Sequence, residues 1–455
     1  MSTTTPASLI ARYGHLPLPR YTSYPTAPHF HRDVDAATYR QWLGELDAAK
    51  PLSLYVHVPF CHELCWYCGC ATKASRREAP IRAYLGSVLQ EISLVANALP
   101  GRHRIEHLHL GGGTPTTIGP DGLERLMAHL AAHFDLSGLH AFALELDPRR
   151  VDGAMVAAMA RAGVNRVSLG VQTFQPEVQH AIGRVQSVDV TTAVVERLAQ
   201  HGITALNVDL MYGLPLQTVE ACKATVRDIL AFRPARFSVF GYAHLPGLKR
   251  HQGLIQAQDL PGADARYAQF CAISEALEAA GYRAIGLDHF VRPDDDMAQA
   301  ADAGCLRRNF QGYTTDQAEA LIGVGASAIG KLPQGYIQNL HDVRGYRAAI
   351  DQSAFAVARG YALSAEDKLH GAVIERLMCD LEVDLAAMAE RHGVSVDVFA
   401  SAREALVTMA EDGIVTLDGW HVRVPDAMRS LLRLPASVFD SYLQQPATRR
   451  HAPAV

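Results

Sequence analysis

The 455-residue chain has no uninterrupted apolar run of the roughly 18 residues needed to cross a bilayer as a helix. Its opening MSTTTPASLIARYGH lacks the apolar core of a secretion signal. Positive charge is not in excess either: the formal net charge is -5, which leaves no electrostatic footprint for nucleic acid. Cysteine is scarce, eight in all, and Cys222, Cys271, Cys305 and Cys379 are scattered without paired spacing. That excludes the disulfide framework of a secreted scaffold and leaves those four as small buried hydrophobes or lone thiols. With 49% hydrophobic and 20% charged residues, the composition is that of a globular protein. The expectation is a cytoplasmic chain that binds neither nucleic acid nor membrane.

What is present is concentrated in HVPFCHELCWYCGCATK, residues 57–73, where Cys61, Cys65, Cys68 and Cys70 fall within ten residues. Thiolates at C-x3-C-x2-C spacing converge on one centre and suit zinc, iron–sulfur or Cu(I) rather than magnesium or calcium. A zinc knuckle would close its set of four with Cys70, His57 or His62. A [4Fe-4S] cluster held by Cys61, Cys65 and Cys68 alone would leave one iron open, since ordinary clusters use four cysteines.

The rest of the chain alternates short apolar runs with amphipathic helices. Strands are expected at 52–58, 105–110, 140–146, 166–171, 204–210, 236–242 and 283–288, and a helix carries Ile81, Tyr84, Leu85, Val88, Leu89, Ile92 and Val95 at helical spacing. Such alternation implies a parallel sheet. Each run is followed by polar or special residues: the cysteines, Gly111-Gly112-Gly113-Thr114, Glu145 and Asp147, Gln172, Asp209, His244 and His289. The C-terminal ends of parallel strands are where barrel and open α/β enzymes place their sites. GGGTPT lacks the Gly-Lys-Ser/Thr of a phosphate loop; a tight turn or a close backbone approach to a ligand both remain open. Glu145 and Asp209 in apolar runs call for a partner, either a helix N-terminus or arginine, or the hydroxyls and positive charge of a cofactor.

Residues 1–50 read as an arm and lead-in helix, with Arg20, Tyr21, Tyr24 and Phe30 able to lie across a domain mouth. Residues 51–300 read as the barrel, 301–360 as a connecting segment, and 361–455 as a smaller domain. That last part opens at Ser364-Ala-Glu-Asp with a capping box and holds a hairpin turning at Asp418-Gly419, which gives a winged-helix-like shape. Its acidic residues outnumber its basic ones, so phosphate binding is not expected there.

C-x3-C-x2-C after an apolar strand, with Tyr67 before the third cysteine, resembles the radical S-adenosylmethionine (SAM) enzymes. PRYTSYPTA, CHELCWYCGC, HLGGGTPT, LELDPR, LGVQTF, NVDLMYGLP, FGYAHLP, DHFVRPDD and RNFQGYTT extend the resemblance from about Arg20 to residue 440, to the oxygen-independent coproporphyrinogen III oxidase family. The heme-chaperone relatives of that family, which do not decarboxylate, lack the N-terminal arm and the Gly69-Cys70 pair. The resemblance implies an α/β fold, a partial (β/α)6 TIM-like barrel with the arm and a mainly helical C-terminal domain. It also implies a [4Fe-4S] cluster on Cys61, Cys65 and Cys68 and two SAM molecules. The first would contact Tyr55, Gly112, Glu145 and Ile329, and the second Tyr67, Gly113, Thr114, Gln172, Arg184, Asp209 and Ala243. Coproporphyrinogen III would lose two propionate carboxylates through 5'-deoxyadenosyl radicals, with a flavodoxin-like or ferredoxin-like electron donor, an electron acceptor and a monomeric enzyme. Cys70 is placed at the site without an assigned role. Arg20, Arg292, Arg307 and Arg308 are substrate candidates because guanidinium groups bind carboxylates and these lie in arm or loop segments; Phe310 and Gln311 are candidates from RNFQGYTT.

Overall fold

The computed structural model describes residues 6–443; residues 1–5 and 444–455, the ends of the expected arm and C-terminal domain, lie outside the described residues. Six apolar segments form consecutive parallel neighbours: β1 (Leu52–Val58), β2 (Ile105–Gly112), β3 (Ala141–Leu146), β4 (Arg166–Gln172), β5 (Ala205–Tyr212) and β6 (Arg236–Gly241). Helices α1 (Glu78–Ala98), α2 (Gly119–His133), α3 (Gly153–Arg161), α4 (Val188–Gln200) and α5 (Val219–Leu230) return the chain between them. On α1 the expected stripe is the buried one: Ile81, Tyr84, Leu85, Val88, Ile92 and Val95 join the barrel core. Strands β3, β4 and β5 alternate buried and half-buried residues, so one face packs against helices while the other looks into the barrel.

The seventh expected strand is not a parallel one. It divides into β7 (Arg283–Ile285) and β8 (His289–Val291), which pair antiparallel, and β8 runs antiparallel to β6. The chain turns at Gly286, whose φ is 53° and where a Cβ would enter the Tyr313 ring; only glycine serves there. On the other flank β9 (Ala320–Val324) is parallel to β1, and β10 (Ile329–Leu332), β11 (Gly335–Asn339) and β12 (Val357–Ala362) follow antiparallel, completing a 12-stranded sheet.

The C-terminal part is mainly helical around a three-stranded sheet. Its first helix, Ala365–Asp380, starts at the expected capping box: the Asp367 amide donates to Ser364 Oγ at 3.0 Å and the Ser364 amide to Asp367 Oδ2 at 2.9 Å. The arm is not extended throughout. Pro6–Tyr13 is helical because Leu9 and Ile10 share one core with Leu369, Val373 and Leu377, a burial partner distant in sequence. Further on, the Tyr21 hydroxyl donates to Asp440, the Tyr24 hydroxyl lies 2.9 Å from Ser441 Oγ, and Phe30 stacks on Tyr336. A single antiparallel backbone pair between His31 and Gly360 ties the arm to the edge strand β12.

One buried carboxylate fastens the flank to the barrel. Glu91 on α1 accepts from the Gly325 amide, Asn339 Nδ2 and the Tyr346 hydroxyl, each at 2.6 Å. Removing one donor leaves a buried carboxylate short of a partner. Tyr346→Phe should therefore lower stability by about 1–3 kcal/mol, read as a shifted denaturant midpoint at unchanged slope.

Candidate functional site

The cysteine loop follows β1. Cys61, Cys65 and Cys68 are free thiols facing hydrogen-bond donors that suit sulfur ligands: Thr114 Oγ1 lies 3.5 Å from Cys61, and Arg184 Nη1 and Arg149 Nη2 lie 3.5 and 3.6 Å from Cys65. The hydrogen bond from the Cys70 thiol, with a backbone bond and one from Thr72, lowers the Cys68 pKa to about 6 against burial. The same pairing raises the pKa of Cys70, which keeps the proton. Among the described residues no three His, Cys, Asp or Glu side chains gather where one metal ion could sit. The charges of Cys68 and Cys65 both act on Cys61, and three soft thiolate donors on one loop are a donor set that iron–sulfur chemistry takes. His57 is not available as a fourth ligand. Its Nδ1 lies 2.9 Å from the Tyr55 hydroxyl and its Nε2 lies 3.1 Å from the Ala71 carbonyl and 3.2 Å from Ser327 Oγ, while burial lowers its pKa and holds it neutral.

The glycine loop is locked beneath this one. The Gly113 amide donates to the Val58 carbonyl at 2.9 Å and the Thr114 amide to the Phe60 carbonyl at 2.7 Å. The Gly112 amide donates to Glu145 Oε2 at 3.0 Å. A Cβ at Gly112, whose φ is 108°, would enter the His57 ring, and one at Gly113 would lie 2.7 Å from the Phe60 carbonyl oxygen. The amides are thus spent inside the protein, and the glycines are dictated by packing against β1 and its loop.

A cavity of about 710 Å³ opens inside the barrel. It brings together Tyr55, Cys70, Gly112, Glu145, Asp209 and Ile329, together with Phe310 and Gln311. Burial alone would raise the Glu145 pKa, but the hydrogen bond and charge of His109 and the Gly112 amide lower it, so Glu145 is ionised. Asp209 goes the other way: burial and the charge of Glu145 push it up to about 7 against bonds from Ser168 and Asn207. Behind the cysteine loop, Tyr67 packs against the apolar cluster of Val178, Ile182, Leu214, Tyr242 and Ile255, with Ala243 next in sequence and half-buried. Arg184 is buried there, donating to the Gly170 carbonyl and Gln186, with its Nε unpaired. Gln172 has a φ of 68° and a buried Oε1 without a partner. Neither Gln172 nor Arg184 is among the residues lining the 710 Å³ cavity, and each keeps a buried polar atom without a hydrogen-bond partner.

The arginine candidates separate. Arg20 donates to the Gly241 carbonyl at the C-terminal end of β6 and lies over the Phe240 ring, which lines the cavity. Arg307 pairs with Glu375, and Arg308 donates to the Arg20 carbonyl and lies over Tyr313; both border a smaller neighbouring cavity. Arg292 is not brought to the site: its amide donates to the Ala235 carbonyl before β6, at the opposite end of the parallel strands, and its side chain pairs with Asp294. Arg149 and His109 lie against Cys65 and Glu145 without having been singled out from sequence, and Asp147, marked there only as a strand-end acid, pairs with Arg149 and Arg184. The alternation His107-Leu108-His109-Leu110 was the available signal for His109, since it sets both histidines on the face opposite the leucines.

A parallel barrel carrying three thiols on the loop after its first strand, with a glycine ledge after its second, is the ground plan of radical SAM proteins. The radical SAM superfamily pattern matches residues 55–229, and that of the HemN C-terminal domain matches residues 363–429. The chain is 50% identical over 449 residues to an oxygen-independent coproporphyrinogen III oxidase of Bradyrhizobium diazoefficiens, covering 99% of this chain and 100% of the other. It is 40% identical to the protein of that name from Pseudomonas aeruginosa, over 96% of each. The solved structure of coproporphyrinogen III oxidase (HemN) from Escherichia coli, a radical SAM enzyme, superposes with a TM-score of 0.89 at 36% identity, over 93% of this chain and 97% of that one. The chain belongs to the oxygen-independent coproporphyrinogen III oxidase family.

Asp147 offers a pH test of the site's construction. Burial works to raise its pKa, but the charge of Arg184 and the bonds and charge of Arg149 hold it down to about 2 from 3.8. A depressed carboxylate stabilises the fold fully above its unfolded pKa and loses that stabilisation as pH falls through the folded one. About 2 kcal/mol of wild-type stability should disappear between about pH 4 and pH 2, and Asp147→Asn should lack this segment of the profile in acid-unfolding measurements.

Proposed function

We propose that this protein catalyses the oxygen-independent oxidative decarboxylation of two propionate side chains of coproporphyrinogen III to vinyl groups, yielding protoporphyrinogen IX in heme biosynthesis. The observation that carries the reading is the meeting of the cysteine loop, the Gly112–Glu145 ledge and the Phe310–Gln311 segment on one cavity, in a chain matching relatives of that name end to end.

Cys61, Cys65 and Cys68 would hold three irons of a [4Fe-4S] cluster, the fourth being left for SAM. Tyr55, Gly112, Glu145 and Ile329 would hold a first SAM; the ionised Glu145 suits its ammonium and sulfonium charge. Tyr67, Gly113, Thr114, Gln172, Arg184, Asp209 and Ala243 would hold a second, a reading supported by the unpaired Gln172 Oε1 and Arg184 Nε. When bound, the cluster and SAM supply the one-electron chemistry that removes hydrogen from the propionate β-carbon. The chain's part is to position and to exclude water. Phe310 offers an apolar wall, Gln311 a polar contact, and the arm closes the mouth through Tyr21, Tyr24 and Arg20.

The same reading takes the electron from a flavodoxin-like or ferredoxin-like donor, passes one electron per vinyl group to an acceptor, and has the enzyme work as a cytoplasmic monomer. No described helix is long and apolar enough to cross a membrane. The same reading divides the chain into an arm and lead-in helix at 1–50, the barrel at 51–300, a segment at 301–360 completing the cofactor site, and a helical, winged-helix-like domain at 361–455.

Two measurements test this. Anaerobically reconstituted protein given coproporphyrinogen III, SAM and a reductant should release CO2 and form the divinyl product. A protein that loads iron and sulfide yet releases no CO2 would be a chaperone rather than an oxidase. Serine at Cys61, Cys65 or Cys68 should each abolish the cluster's visible absorbance, whereas Cys70→Ser should retain it.

A further inference from the structure

The cysteine loop lies close beneath the surface. Phe60–Cys61 pairs in parallel with Lys73–Ala74, which closes the loop, and the Ser75 amide donates to the Cys61 carbonyl at 2.8 Å. Lys73 and Ala74 are exposed, so solvent begins one strand spacing, about 4.8 Å, from the Cys61 backbone. On its other side the loop is held through three of its carbonyls. Lys249 Nζ donates to that of Cys70 at 2.9 Å and Gln252 Nε2 to that of Tyr67 at 2.9 Å, and His251 Nε2 lies 2.7 Å from that of Cys68. Electron transfer between proteins weakens steeply with distance, so a carrier that serves these thiols must seat on one of these two rims.

Charge on the rims runs against that of the whole chain. The chain carries a formal -5, yet residues 61–82 hold Lys73, Arg76, Arg77 and Arg82 against Glu63 and Glu78, and residues 244–258 hold Lys249 and Arg250 and no acid. Glu63 is shared: Arg76 reaches it at 2.7 Å and Arg150 at 3.1 Å, so one carboxylate faces two guanidiniums. Lys73, Arg77 and Arg250 are exposed and form no ion pair among the described residues. Apolar side chains stand beside these cations. Leu248, at 73% the most exposed large apolar side chain among the described residues, and Leu254, at 54%, flank the three residues that hold the loop. Val185 is exposed next to Arg184, which bonds Cys65. A lone exposed leucine calls for no explanation, but exposed apolar groups among uncompensated cations have the anatomy of a protein interface with a charged rim.

We propose that this face, made by residues 73–77 and 248–254, is the docking surface for a small acidic protein of the flavodoxin class that delivers electrons singly. The proposal rests on the reading in which Cys61, Cys65 and Cys68 hold a [4Fe-4S] cluster that a protein donor reduces. In each encounter the reduced flavin of the donor loses one electron and the cluster gains it, and no atom passes between the proteins. Carboxylates of the donor meet Lys73, Arg77 and Arg250, while Leu248 and Leu254 supply the apolar contact.

The test measures binding of oxidised flavodoxin to the anaerobically reconstituted holoenzyme by calorimetry and, separately, the bleaching of the cluster's visible absorbance by reduced flavodoxin. Wild type should bind with an affinity that falls as salt rises, and basic cytochrome c should not bind. The double variant Lys73→Glu/Arg77→Glu and the single variant Arg250→Glu should each weaken flavodoxin binding by about tenfold or more and slow bleaching in step. Dithionite, too small to need a docking surface, should bleach all the proteins at the wild-type rate. Leu248→Ser should weaken binding with its salt dependence intact. Flavodoxin affinity at the wild-type level in all the variants overturns the proposal, as does equal slowing with dithionite, which marks damage to the cluster site. Altered sedimentation of the variants at unaltered flavodoxin affinity overturns it in favour of a self-association surface. If the double variant does not fold, Arg250→Glu and Leu248→Ser decide by the same criteria. A wild type that loads no iron and sulfide overturns the cluster reading beneath the proposal, and metal analysis tells this apart before any flavodoxin is added.

Discussion

The site depends on two backbone hydrogen bonds. The amides of Gly113 and Thr114, after β2, donate to the carbonyls of Val58 and Phe60, after β1, and join the loop that bears the cysteines to the ledge that faces the cavity. Nothing larger than glycine fits at the joint, because the His57 ring and the Phe60 carbonyl occupy the space a Cβ would need. Through this contact Thr114 reaches Cys61 and Gly112 reaches Glu145. The thiols and the nearest carboxylate therefore hold fixed positions before any cofactor arrives, which is the preorganisation a reactive site needs.

Three acids, Glu145 on β3, Asp147 just after it and Asp209 on β5, divide the electrostatic work. Asp147 lies among guanidiniums and stays ionised, neutralising the arginines that face Cys65. Glu145 is ionised by His109 and the Gly112 amide. Asp209, buried with only neutral donors and with Glu145's charge nearby, titrates near neutrality. Burial is common to all three, so the neighbours set the differences. The arm and the C-terminal helices share a second core, in which Leu9 and Ile10 pack with Leu369, Val373 and Leu377.

Much of this was legible in the sequence. Six parallel strands follow from apolar runs that alternate with amphipathic helices, and the spacing of Cys61, Cys65 and Cys68 marks their loop. The antiparallel turn at Gly286 was hidden because its cause, the Tyr313 ring, comes from a distant segment. The helix at Pro6–Tyr13 was hidden for the same reason, since its burial partners lie in the C-terminal domain. In the glycine loop the partners of the amides were hidden: those of Gly113 and Thr114 donate to the Val58 and Phe60 carbonyls and that of Gly112 to the Glu145 carboxylate, all from other segments. Among the arginines, lying in a loop did not separate Arg20 at the mouth from Arg292 at the far end, because the distinction requires the direction of β8. His109 and Asn207 open the HLGGGTPT and NVDLMYGLP stretches, but what each does emerges only from neighbours on adjacent strands.

The central claim is that the cavity brings a propionate side chain to the SAM held beside the cysteine loop. It is tested most directly with coproporphyrinogen III deuterated at the propionate β-carbons and the anaerobically reconstituted enzyme. The account predicts deuterium in the 5'-deoxyadenosine released with each vinyl group formed. Vinyl product accompanied by unlabelled 5'-deoxyadenosine would contradict it.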